Sequence, residues 1–224
     1  MKVLIIGGVA AGTKVAAKLK RMERDAQVDI LTMSKGNSYA GGGLPYYVGD
    51  LIHERSELVV NTPEKFAALT GANVETEVEV TGLNRESKTV TALDHKTGET
   101  KEYSYDKLVI ATGASPIIHP VEGIHMKNVF VMRTPDDAVA LRDAIEAGEI
   151  KRAVVAGAGF IGLEVAENLH AKGIRTNVID MDPQPLQPLA PEMAEYAENP
   201  LDDAGIMCFT GTNLVTGHGT RKEQ

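Results

Sequence analysis

The sequence predicts an α/β fold of two three-layer domains, on three observations. A short apolar run at residues 3–6 enters the turn Gly7-Gly8-Val9-Ala10-Ala11-Gly12, and a helical pattern follows. The same order of features returns at residues 153–179, around Gly157-Ala158-Gly159-Phe160-Ile161-Gly162. Between the two lie alternating runs parted by turn residues, the pattern of half-exposed strands.

Residues 3–6 are too short for a helix and are bounded by glycine, which predicts a parallel strand buried on both faces. From Thr13 to Arg21, apolar Val15, Ala16, Ala17 and Leu19 alternate with Lys14, Lys18, Lys20 and Arg21, a helical pattern. Residues 28–31 return as a strand. Strand, glycine turn, helix and strand within about 30 residues make a mononucleotide-binding unit of the Rossmann type. Gly7 serves the tight turn. The small residues Ala10, Ala11 and Gly12 let the helix start approach a pyrophosphate, which would rest on backbone N–H groups. Gly8 and Val9 stand where a strict G-x-G-x-x-G has its middle glycine, so the turn alone also suits a purely structural strand–helix junction.

Gly36, Asn37, Gly41, Gly42, Gly43, Pro45 and Gly49 predict a loop without regular structure over residues 36–49. Leu44, Pro45, Tyr46 and Tyr47 make it too apolar to be simply solvated. Thr62 and Pro63 open a short helix over 63–70. Strands are expected at 73–81, 89–94 and 100–105, with a hairpin turn at 95–98. A buried strand at 108–111 runs into Thr112-Gly113. Pro116 and Pro120 mark the crossing into a second domain, which divides the chain into 1–118 and 119–224.

In the second domain a helix is expected at 136–147, between Thr134-Pro135 and Gly148. Residues 153–156 then form a strand, Gly157–Gly162 a full G-x-G-x-x-G, residues 163–171 a helix ended by Gly173, and 176–179 a strand. Asp180 closes this unit at about the 20-residue offset expected of an acid that hydrogen-bonds an adenosine ribose. That carboxylate would repel a 2′-phosphate, which favours NADH over NADPH. A loop at 181–191, a helix at 194–204, a strand at 206–209 and a polar end complete the chain.

Composition narrows the function. The 224 residues are 43% hydrophobic and 24% charged, as in ordinary globular proteins. No apolar run approaches the ~20 residues of a membrane span, and no leader pattern precedes the first strand, so no membrane role is expected. A single cysteine, Cys208, excludes an internal disulfide and fits a reducing cytoplasm. The net charge of −8 argues against nucleic acid as a partner.

Two nucleotide units, the Ala111-Thr112-Gly113 strand end between them, and Ser38-Tyr39-Ala40 with Gly43-Leu44-Pro45-Tyr46-Tyr47 after the first occur here in one characteristic order. In this the chain resembles the flavin-dependent pyridine nucleotide–disulfide oxidoreductases. It is most similar to the branch of coenzyme A-disulfide reductases and NADH oxidases, which use a single cysteine. Thr62–Phe66 and Tyr105–Leu108 look like that branch too.

The resemblance implies FAD on Gly7, Gly8, Val9, Ala10, Ala11 and Gly12. It implies that Thr32 takes the place of a ribose-binding glutamate, that the Val80 backbone meets the adenine, and that Ala111, Thr112 and Gly113 pass close to the cofactor. NAD(P)H would sit on Gly157, Gly159, Phe160, Ile161 and Gly162, with Asp180 at the ribose and Glu164 near the nicotinamide. Hydride would pass from nicotinamide to flavin. Lys14, Lys18 and Arg21, spaced i, i+4, i+7 on one helix face, would receive a coenzyme A-type thiol or disulfide together with Ser38 and Gly41. Spacing alone equally suits a solvated charged face; oxygen is the other candidate acceptor.

The family's reactive cysteine belongs at position 42, which is Gly42 here. The expectation is therefore a flavoprotein NAD(P)H oxidoreductase without a catalytic sulfur, unable to reduce disulfides. The alternative is a non-catalytic nucleotide-binding fragment or remnant of such an enzyme. Against the family's length the chain corresponds to a front half, with the second domain incomplete. Full-length members are homodimers through a domain absent here.

Overall fold

The computed structural model describes residues 1–215. The chain forms two compact units, one of Met1–Ala40 with Val59–Ala114, the other of Gly41–Leu58 with the residues from Ser115 onward. Residues 41–58, expected in the first domain, therefore pack in the second unit.

In the first unit, β1 (Lys2–Ile6), β2 (Gln27–Thr32), β3 (Asn73–Thr76) and β7 (Lys107–Ile110) form a parallel sheet in the order β3-β2-β1-β7. Strand residues alternate between the two faces of a sheet, and this sheet is covered on both. Val3, Ile5, Val28 and Ile30 pack with Ala16 of α1 (Ala10–Met22) and Phe66 of α3 (Pro63–Thr70). Leu4 and Leu31 pack with Val78, Val90 and Ala92 of an antiparallel sheet made of β4 (Val78–Asn84), β5 (Thr89–Asp94) and β6 (Thr100–Ser104). The result is three layers, helices on one side and a small sheet on the other.

Several expected elements change their bounds. The helix expected from Thr13 begins at Ala10, because the small residues before Thr13 are already its first turn. The strand expected at 73–81 is two strands in different sheets. Glu77 between them takes a φ of 61°, a left-handed conformation that no strand continues through. The strand at residue 108 is only partly covered, and Ile110 is exposed.

The second unit is built on β8 (Arg152–Ala156), β9 (Arg175–Ile179) and β10 (Met207–Phe209), parallel in the order β10-β9-β8. Val165 and Leu169 of α5 (Phe160–Ala171) pack with Ala138 and Leu141 of α4 (Pro135–Glu146), and Ala153 and Val155 of β8 pack against that cluster. Leu201 of α6 (Pro191–Asp203) packs with Ala166 of α5, Val178 and Ile206. Val154, Met207 and Phe209 alternate to the other side and are exposed, Val154 to 64%. Among the described residues this sheet is thus covered on one face only. The polar end from residue 217 lies outside the described residues.

The glycine-dense stretch holds a correction. Gly41–Gly43 form a 3-10 turn and Leu44–Val48 a short helix, α2, where a loop without regular structure was expected. Tertiary packing overrides the glycine content here: Leu44, Tyr47 and Val48 are buried in the cluster with α4 and α5.

Arg142 of α4 holds the segment in place. Its Nη1 donates to the carbonyl oxygens of Tyr47 at 3.1 Å, Ile52 at 3.1 Å and His53 at 3.2 Å, while Nη2 donates to Asp50 Oδ1 at 2.6 Å. The guanidinium also lies 4.6 Å from the centre of the Tyr47 ring. Gly49 has no room for a side chain, since a Cβ there would lie 1.9 Å from Asn168 Oδ1. Arg142→Met removes several charge-assisted bonds at once and is expected to cost about 2 kcal/mol, read as a fall of several degrees in Tm. Arg142→Lys is expected to recover little, because an ammonium has no planar fork. A lysine variant melting with the wild type would refute the multidentate role.

Candidate functional site

The first glycine turn is set by close approach. Gly7 has φ 106°, and a Cβ there would lie 2.1 Å from the Ala111 carbonyl oxygen. A Cβ at Gly12 would lie 1.9 Å from the Gly7 carbonyl oxygen. Neither position accepts a methyl group, so the start of α1 is pressed against the end of β1. Gly7 N–H donates to Leu31 O, and Ala111 N–H donates to Ile6 O, each at 2.8 Å. The predicted residues Gly7, Gly12 and Ala111 therefore meet at one point.

No side chain caps α1. Its N-cap is Val9, whereas Thr62 caps α3 and Thr134 caps α4 through their hydroxyls. Thr13 Oγ1 turns back to donate to Val9 O and Ala10 O, inside the helix. The first N–H groups of α1, at the positive end of the helix, thus have no side-chain cap.

Thr32 and Ser38 converge on the same turn. A Cβ at Gly8 would lie 3.1 Å from the Thr32 Cβ and Cγ2. Ser38, at φ 55°, donates its N–H to Gly8 O at 3.0 Å and accepts from Val60 N–H at 2.8 Å. Val80 sits apart in β4, paired with Ala92 beside a register shift.

Asn37 is the residue that sequence reasoning missed. It is 1% exposed, and neither its Nδ2 nor its Oδ1 has a hydrogen-bond partner. Leaving such a group buried and unpaired costs about 1–3 kcal/mol. An asparagine in a glycine-rich loop gives no sign of this, because turns favour asparagine anyway.

The second turn repeats the first. Gly157 has φ 112°, and a Cβ at Gly162 would lie 1.8 Å from Gly157 O. Gly159 is the N-cap of α5, again without a side-chain cap, and a Cβ there would meet nothing within 4 Å. Phe160 and Ile161 are exposed on the first turn of α5. Asp180 folds back on this turn. Its Oδ2 accepts from Ala158 N–H, and its Oδ1 accepts from Asp182 N–H at 2.8 Å. A carboxylate has lone pairs to spare for a ribose hydroxyl. Glu164 stands half-buried in α5.

Lys14, Lys18 and Arg21 are exposed on α1. Ser38 belongs to the first unit and Gly41 to the second. Gly42 lies in the 3-10 turn, and a Cβ there would meet nothing within 4 Å, so a larger residue fits. Among the described residues no group of histidine, cysteine, aspartate and glutamate could hold a metal ion, and no helix is long and apolar enough to cross a membrane.

Cys208 is half-buried in β10, and burial, then Glu198 and Asp180, pushes its thiol up to about 11. Below that pH it stays protonated, and the thiolate is the reactive form. Compared with an ordinary thiol at 9.0, the thiolate fraction at pH 8 falls roughly 100-fold. Iodoacetamide labelling of the folded protein at pH 8 is expected to be slower by at least that factor and to rise as pH approaches 11. Labelling at the rate of a free thiol would show that Cys208 is activated.

Comparison with known proteins agrees with this architecture. A coenzyme A disulfide reductase from Staphylococcus haemolyticus is 32% identical over 96% of this chain and 48% of its own. An NADH oxidase from Methanocaldococcus jannaschii is 34% identical over 99% of this chain and 50% of its own. The structure of an NAD-dependent persulfide reductase from A. fulgidus superposes with a TM-score of 0.92 at 37% identity, over 98% of this chain and 41% of that one. The chain thus spans about half the length of the curated relatives it matches. The family model of pyridine nucleotide-disulphide oxidoreductases matches residues 1–223, and the chain belongs to that family.

Proposed function

We propose that the chain binds FAD on the first turn and NADH on the second, as the cofactor-binding part of a flavin-dependent NADH oxidoreductase. The observation that carries this is the pair of glycine turns, each with a helix start packed on the first glycine's carbonyl and left uncapped. An acidic dinucleotide fits both, because backbone amides and helix dipoles hold a pyrophosphate without any cationic side chain. The unpaired Asn37 beside the first turn fits a polar ligand as well. When bound, the flavin would take a hydride from the nicotinamide and pass two electrons onward.

The residues have separate tasks. Gly7–Gly12 hold the FAD pyrophosphate, Thr32 offers the ribose one hydroxyl, and Val80 and Ala111–Gly113 border the cofactor. Gly157–Gly162 hold the NADH pyrophosphate, with Glu164 toward the nicotinamide. The Asp180 carboxylate accepts from the ribose and repels a 2′-phosphate. Lys14, Lys18 and Arg21 offer cations to the phosphates of a coenzyme A-type substrate, with Ser38 and Gly41. A small-molecule thiol, disulfide or oxygen is the acceptor, in the cytoplasm.

Gly42 stands where the family carries its redox cysteine, and its hydrogen atom cannot form a mixed disulfide. Disulfide reduction is lost on this account, and the half-buried, protonated Cys208 does not restore it.

Purified protein is expected to be yellow and to bleach when NADH is added without oxygen. Colourless protein that binds NADH would instead favour the nucleotide-binding module without turnover. Asp180→Asn is expected to reduce the preference for NADH over NADPH by roughly 10-fold, the effect of one charge contact; an unchanged ratio of dissociation constants would remove Asp180 from selectivity. Gly42→Cys should fold within about 0.5 kcal/mol of the wild type, since nothing stands where its Cβ would be. Thiol release from coenzyme A disulfide by the wild-type protein would refute the proposed loss.

A further inference from the structure

We propose that the Asn37 carboxamide is a ligand of the flavin dinucleotide at its ribose–pyrophosphate stretch, compensating for the acid missing at Thr32. This rests on the reading that FAD occupies the first turn. Among the described residues, Asn37 Nδ2 and Oδ1 are the buried side-chain nitrogen and oxygen atoms without a partner. Asn168 and Asn84, by contrast, find partners within the chain. Asn168 Nδ2 donates to Glu164 O at 2.8 Å, and Asn84 Oδ1 accepts from Glu86 N–H and Ser87 N–H, each at 3.1 Å. Native folds rarely leave both ends of a buried amide unpaired, so the exception points to a partner the chain alone does not contain.

Position says which partner. Asn37 precedes Ser38, whose N–H is bonded to Gly8 O, and consecutive Cα atoms lie about 3.8 Å apart. Gly8 in turn is the glycine whose missing Cβ leaves room for Thr32. Asn37 is therefore fixed beside the turn proposed to meet the dinucleotide, in the loop five residues beyond Thr32, where the ribose acid would stand. Its backbone neighbour is pinned on both sides, by Gly8 O and by Val60 N–H.

The chemistry suits the place. A ribose hydroxyl can donate to Oδ1, and Nδ2 can donate to a hydroxyl or phosphate oxygen. The group is neutral and does not repel the pyrophosphate. A buried threonine hydroxyl at position 32 supplies less than the two oxygens of a carboxylate, and the carboxamide makes up donors and acceptors together.

The test compares wild type with Asn37→Leu, close in size and unable to hydrogen-bond. FAD and ADP affinities are measured by titration, and the FAD-stripped proteins are melted. The expected result is a roughly 10- to 100-fold loss of affinity, equal for FAD and ADP, with the melting temperature of the stripped protein unchanged or raised. Unchanged FAD affinity with a lowered melting temperature would show a structural amide and overturn the proposal. Loss for FAD but not ADP would overturn the assignment to the ribose–pyrophosphate stretch. Should Asn37→Leu fail to fold, Asn37→Ser shortens the reach and is expected to show the same loss; equal affinity there overturns the proposal. If the wild type binds neither FAD nor ADP, the reading beneath fails, and the inference with it. If the wild type binds both and the variant binds equally, only the inference falls.

Discussion

Where Gly12 packs on the carbonyl oxygen of Gly7, a helix begins with no space for a methyl group between it and the strand it follows. That contact fixes the direction of α1 and presents its first amides at the end of β1. Gly162 on Gly157 repeats the constraint in the second unit. In both cases φ above 100° at the first glycine makes the turn possible, a conformation close to closed to other residues. The N-caps, Val9 and Gly159, have no side-chain acceptor, so both helix starts are uncapped, which is the case for an anionic ligand at each.

The two turns differ in how they are finished. In the second, Asp180 reaches back to the Ala158 amide and closes the turn with a carboxylate. In the first, Thr32 packs beside Gly8, and the closing element is a loop, tied through Ser38 to Gly8 O. A loop carries its polar groups with it, and one of these, Asn37, is left without a partner. The same geometric problem is thus solved once by an acid at a strand end and once by a returning backbone.

The segment 41–58 shows how far glycine content can mislead. Three consecutive glycines argue against regular structure, yet Leu44, Tyr47 and Val48 sit in an apolar cluster and a cationic side chain collects three neighbouring carbonyl oxygens. Burial and charge-assisted bonds outweigh the local preference. Arg142 gave no signal in the sequence. It lies in a predicted helix among other charges, and the partners that tie it to this segment are more than eighty residues away in the chain.

The sequence by itself determined both glycine turns, their strands and helices, the hairpin at 95–98, the threonine caps at Thr62 and Thr134, and the placement of Asp180. These are local matters, governed by φ, by residue size and by periodicities of two and 3.6. Only the tertiary structure decided that residues 73–81 divide between two sheets, that residues 41–58 join the second unit, that one face of the β10-β9-β8 sheet stays open, and that Asn37 is buried without a partner. Each of these depends on what lies opposite a residue in space, and burial or an unmet hydrogen bond is a relation between distant parts of the chain.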